Sequence, residues 1–213
     1  NIILNILLKL LNFCYLIFNN MEFINNSDEQ YEIFKYFKDI ESSEFQEMSF
    51  DEKIDVLKLS LKKNLNTENI SENLIFISNI VVSLINKSII NESVKIREFG
   101  LYLTLACLME TNYLFEPYLN AILPNLLDMF NDKHRDVINV NTIVLSKVFE
   151  NISPYVANDI LSLFKERIND QSWKISLGCL KLISILTDVA PKQIDFLLPE
   201  LVPLITSQAA SSK

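Results

Sequence analysis

His134 is the chain's one histidine, and it lies between Asp132 and Asp136. An imidazole flanked by carboxylates could ligate a metal or move a proton. No second His and no Cys stands at helical spacing from it, so a zinc set is not assembled, and Asn131-Asp132-Lys133-His134 predicts a polar turn between helices. The three cysteines, Cys14, Cys107 and Cys179, are 93 and 72 residues apart. That is not ligand spacing, and an odd count does not make a disulfide framework. Each lies among apolar residues and reads as a buried thiol. Two glycines, Gly100 and Gly178, cannot build a phosphate-cradling loop, a dinucleotide turn or a nucleophile elbow. The expectation is a chain that is not an enzyme and takes no cofactor, metal or small-molecule substrate.

Trp173, the only tryptophan, is either a working aromatic or a packing anchor. A base-stacking tryptophan wants basic neighbours on an exposed ridge, and only Lys174 is adjacent in sequence. The sequence therefore predicts a partly buried anchor near Phe164, whose loss lowers stability more than binding.

The elements that would carry these residues are helices. Of 213 residues, 49% are apolar and 22% charged, enough for a sizeable core. Net charge is −8, with 27 acids against 19 bases, and the acids are dense between 28 and 52. That excludes a surface coated with nucleic acid, though not a local basic patch. Residues 1–20 form an apolar leader interrupted by Lys9. It is marginal for a membrane span, lacks a cleavage site, and reads first as sequence upstream of a natural start at Met21, with a buried first helix or a signal-anchor as the alternatives; membrane insertion is not the leading expectation. Residues 21–70 read as N-terminal helices, with a capping box at Ser49–Glu52. Ser71 is expected to cap the next helix. No segment alternates with period two, and the chain is all-α.

From 71 to 213 a repeat emerges. Pro117, Pro154 and Pro191 recur every 37 residues, and a gapless overlay keeps apolar positions in register, with Leu126 on Leu163, Ile138 on Ile175 and Asp136 on Trp173. Asn131-Asp132 and Asn169-Asp170 mark the turn inside each unit and are expected to cap its second helix. Two amphipathic helices per unit of about forty residues predict stacked antiparallel helix pairs, an α-solenoid. A further unit starts at Pro191 and breaks off before Lys213.

The Asp/Asn turn, Ile96-Arg97 at the opening of the second helix and Gly100 three positions on resemble HEAT repeats. Between Phe115 and Ile205 the chain is similar to the N-terminal HEAT domain of translation elongation factor three. The residues that carry this are Glu116-Pro117-Tyr118, Trp173 opening its helix, Ile183-Ser184, Asp188, Ala190, Gln193 and Pro199-Glu200-Leu201-Val202-Pro203-Leu204. Asn141 departs from the small apolar residue usual at its place, which would loosen that helix contact. The resemblance implies a cytoplasmic, monomeric docking arm that touches ribosomal protein and RNA, in a factor that assists exit-site tRNA release. It implies ATP hydrolysis only by ABC cassettes outside these residues, since no Walker A loop is present. Candidate contacts are the basic residues of the repeats: Lys133, Arg135, Lys147, Lys165, Arg167, Lys174 and Lys181. Interleaved acids give each of them an alternative as part of a solvated face. A generic HEAT scaffold also stays open, whether a nuclear transport receptor fragment or an activator of a translational-stress kinase.

Overall fold

The structure, a computed structural model, describes residues 43–65 and 69–210. The apolar leader and Cys14 lie outside the described residues. The chain is all-α there: α1 (Ser43–Glu47), α2 (Phe50–Asn64), α3 (Ile70–Phe76), a π-helical turn (Ile77–Val81), α4 (Val82–Ile89), α5 (Val94–Thr111), α6 (Glu116–Asp128), α7 (Arg135–Asn151), α8 (Ala157–Arg167), α9 (Trp173–Val189) and α10 (Pro191–Ala210). No helix among the described residues is long and apolar enough to cross a membrane.

Two layers result. One holds α2, α5, α7 and α9, each packed on the next; the other holds α4, α6, α8 and α10, and each hairpin joins one helix of either layer. This is a HEAT-type solenoid. Helix α5 lies among α2, α4 and α7, which is why Phe99, Leu101, Leu103, Leu105 and Cys107 are all fully buried round its circumference.

Local signals set the helix starts. Ser49 Oγ accepts from the Glu52 backbone N–H at 3.4 Å, and Glu52 Oε2 accepts from Ser49 N–H at 2.8 Å, so the capping box forms. Hydrogen bonding to the carboxylate from the Ser49 backbone N–H, and then from its hydroxyl, holds the Glu52 carboxyl below its usual value. Ahead of α3 the cap is Asn69 rather than Ser71. Its Oδ1 takes the Ser71 and Glu72 N–H groups, because the short amide arm reaches both from one residue outside the helix. Pro117 falls in the first turn of α6, Pro154 opens a 3-10 turn (Pro154–Val156) that leads into α8, and Pro191 begins α10.

The turn before each second helix is one device used three times. Asn91, Asp132 and Asp170 each accept, through Oδ1, the backbone N–H two residues on, at 2.9, 2.8 and 2.9 Å. These side chains fold the turn and do not cap the helix, since the N-cap residues proper of α7 and α9 are His134 and Ser172.

Between the last two turns the device also fixes the offset, which is 38 and not 37, because Asp132 and Asp170 are 38 apart, whereas Asn91 and Asp132 are 41 apart. At this offset Leu119, Ile122, Leu123 and Leu126 fall on Ala157, Ile160, Leu161 and Phe164. Val137, Asn141, Val144, Leu145 and Val148 fall on Ile175, Cys179, Leu182, Ile183 and Leu186. Every one of these is buried. At 37, half-buried Ile138 would pair with buried Ile175, and buried Leu126 with half-buried Leu163. The prolines mislead by one residue because they mark chain entry, not helix phase.

Candidate functional site

At the corrected offset Trp173 is the counterpart of Arg135; both are the first residues of their helices. Trp173 is 60% exposed, which overturns its expected role as a buried anchor. Phe164 is fully buried and instead stacks on Phe149, with ring centroids 5.5 Å apart and planes 20° apart.

Trp173 lines a groove of about 260 Å³ between α7 and α9. Its walls are two stripes at helical spacing: Arg135, Asn139 and Thr142 on α7, and Trp173, Leu177 and Lys181 on α9, of which the first two of each are counterparts, with Lys174 beside the indole in sequence. Phe130 and Ile138 complete it. Gly178 makes this floor possible, since a Cβ there would lie 2.3 Å from the Phe130 ring. Gly100 has the same use between α4 and α5, where a Cβ would meet Ser88 Cβ at 2.8 Å.

The seven candidate cations separate into groups. Arg135, Lys174 and Lys181 gather in the groove, and none has a carboxylate partner among the described residues. Lys133 is exposed in the turn before α7. The remaining three are engaged within the fold. Lys147 sits 4.7 Å from the Phe50 ring centroid and 3.5 Å from Asp51. Lys165 bonds Glu200 of α10, and Arg167 holds Asp128 and Asp170, each at 3.1 Å.

Other polar groups hold the scaffold together. Arg97 Nε lies 2.8 Å from Asp132 Oδ2, while its Nη1 donates to the carbonyls of Asn91 and Glu92 at 2.8 Å, so it joins two consecutive turns. Asn141 is fully buried, and its Nδ2 donates to the Leu126 carbonyl at 3.0 Å, which links α7 to α6, while its Oδ1 is buried with no hydrogen-bond partner among the described residues. Cys107 and Cys179 are buried, and burial pushes both thiols up to about 12. No group of three His, Cys, Asp or Glu among the described residues is placed to hold a metal ion. The groove presents an indole, cations and apolar side chains.

Sequence reasoning missed the exposure of Trp173. The signal that finds it is the 38-residue recurrence of Asn-Asp, which puts the tryptophan level with an exposed arginine.

Comparison with known proteins gives a consistent picture. Residues 61–213 match the family described as EF3 N-terminal HEAT repeat. The chain is 30% identical over 108 residues, half its own length, to the eIF-2-alpha kinase activator GCN1 of Dictyostelium discoideum. It is 30% identical over 99 residues (46% of the chain) to the stalled ribosome sensor GCN1 of Homo sapiens, and 29% identical over 99 residues (46%) to elongation factor 3 of Gonapodya prolifera. The chain's matched part spans only 4% of each of the first two proteins and 9% of the third.

Proposed function

Because the chain belongs to the EF3 N-terminal HEAT repeat family over residues 61–213, we propose that it is the ribosome-docking arm of a cytoplasmic translation factor. The observation that carries this reading is the groove between α7 and α9. It concentrates three cations without carboxylate partners among the described residues, and an exposed tryptophan, on a chain of net charge −8. Lys147, Lys165 and Arg167 are engaged with acids of the fold, so an anionic partner finds its attraction at the groove. In the elongation-factor form of this proposal, the arm anchors a larger protein whose ABC cassettes hydrolyse ATP and assist exit-site tRNA release.

The test is co-sedimentation with ribosomes across a salt series. Arg135→Glu, Lys174→Glu and Lys181→Glu together should weaken association at least tenfold and flatten its salt dependence by roughly two to three logarithmic units, one for each phosphate no longer neutralised. Melting temperature should barely move, because the three side chains have no carboxylate partners among the described residues. Association unchanged by the triple reversal would defeat the proposal.

A second reading has its own support in the similarity to a protein named as an eIF-2-alpha kinase activator. In that case the arm belongs to a longer array that reports ribosome state to a kinase. The gene's sequence beyond Lys213 separates the two, since ABC cassettes favour the first and continued repeats the second.

A further inference from the structure

We propose that the groove between α7 and α9 receives a single unpaired RNA base, stacked on the Trp173 indole, with Arg135, Lys174 and Lys181 holding the phosphates on either side. This names the RNA element that the docking arm would grip, and so it rests on the ribosome-docking reading.

Four observations converge. The indole is 60% exposed, and no aromatic ring among the described residues pairs with it. An apolar plane of that size in water is a standing attraction for another flat ring, and a base supplies one whatever its identity. The three cations have no carboxylate partners among the described residues, and no acid lines the groove. Asp136, next to Arg135 in sequence, is not among the lining residues, and its charge acts on Glu98 of α5. The floor is apolar, from Phe130 and Leu177, and suits the face of a base. Asn139, an exposed residue of the α7 wall, offers an amide to the hydrogen-bonding groups of a base.

Size and charge select the form of the partner. A groove of about 260 Å³ takes one ring system and not a helix, and a chain of net charge −8 repels a long duplex laid across it. Sequence-tolerant capture of an unstacked base needs only one aromatic and a few cations, which is what this groove provides. An acidic peptide would satisfy the cations but leave the indole face without a planar partner.

Trp173 is the only tryptophan, so intrinsic fluorescence reports on the groove directly. The full chain is titrated with a single-stranded oligoadenylate decamer, an RNA duplex of the same length and a glutamate-rich decapeptide. The decamer should quench Trp173 emission, while the duplex and the peptide should leave it nearly unchanged. With end-labelled decamer read by anisotropy, Trp173→Ala should bind about tenfold or more weakly, and Trp173→Phe should keep most of the affinity. Ribosome co-sedimentation of the same proteins separates the two claims. Sedimentation that survives Trp173→Ala, with no quenching by the decamer, overturns base stacking and leaves docking intact. Quenching by the decamer in a chain that does not sediment with ribosomes supports the stacking site and overturns docking. Quenching by the peptide alone assigns the groove to an acidic protein and overturns the RNA proposal.

Discussion

Cys107 and Cys179 have thiols pushed up to about 12 by burial, so the reactive thiolate is scarce at neutral pH. In a Cys14→Ser chain, maleimide labelling should therefore be negligible in native buffer and stoichiometric in denaturant; rapid native labelling would mean these helices open readily. Glu98 gives a second prediction. Desolvation raises its carboxyl above the ordinary 4.5, with Lys53 opposing, so the folded state holds the proton more tightly than the unfolded state. The stability this contributes is present below pH 4.5 and is lost as pH rises through the folded pKa. Glu98→Gln should consequently change the melting temperature little at pH 4 and raise it at pH 7. Lys53 would still sit over the Phe45 and Tyr102 rings, at 5.8 and 5.4 Å from their centroids. A variant less stable at pH 7 than the unmodified chain would show that Lys53 outweighs desolvation.

Among the elements, α9 shows how one missing side chain places a helix. Alanine at 178 gains roughly 1 kcal/mol of helix propensity over glycine. Its Cβ, however, would lie 2.3–2.7 Å from three carbons of the nearly buried Phe130 ring, and such overpacking costs about 1–3 kcal/mol. Sterics should win, so Gly178→Ala should lower the melting temperature by a few degrees. Adding Phe130→Leu should recover part of that loss, a favourable coupling in a double-mutant cycle. Coupling near zero would place the strain elsewhere. The sequence carried the hairpin architecture well, because prolines, turn acids and 3–4 spacing are local signals that tertiary packing did not override. It carried the groove poorly. A stripe buried at i, i+3 and i+4 tolerates a slip of one residue, so the 37-residue overlay hid the pairing of Trp173 with Arg135. Nothing local says which basic residues meet acids from the neighbouring unit, as Lys165 meets Glu200 and Arg167 meets Asp128.

The whole molecule is a row of hairpins, each stabilised by its neighbours, so polar bonds between units decide how far a disturbance spreads. Two such bonds lie at different interfaces. Arg97 joins the turn before α5 to Asp132 of the following unit, and Glu116, at the start of α6, accepts from Ser153 N–H at 2.7 Å and from Ser153 Oγ at 2.9 Å, just ahead of α8. Both sets are shielded from water: Glu116 is 7% exposed, and the Arg97 and Asp132 side chains 11% and 10%. Removing Arg97 leaves a nearly buried carboxylate without its cation, a loss of about 3 kcal/mol. Removing Glu116 strands the Ser153 N–H and should cost about 1–3 kcal/mol. The location of the effect matters more than its size. In a row coupled only to nearest neighbours, Glu116→Ala should raise amide hydrogen exchange chiefly in α8, α9 and α10, leaving α2 and α5 protected. Arg97→Ala should act on both sides of its joint, because α5 is the helix on which α2, α4 and α7 all pack. Groove affinity would follow the same geography, since Glu116→Ala loosens α9 against α7 while touching no groove residue. Exchange that rises uniformly along the chain in both variants would instead make these hairpins one cooperative block, and the groove would then be as rigid as the core beneath it.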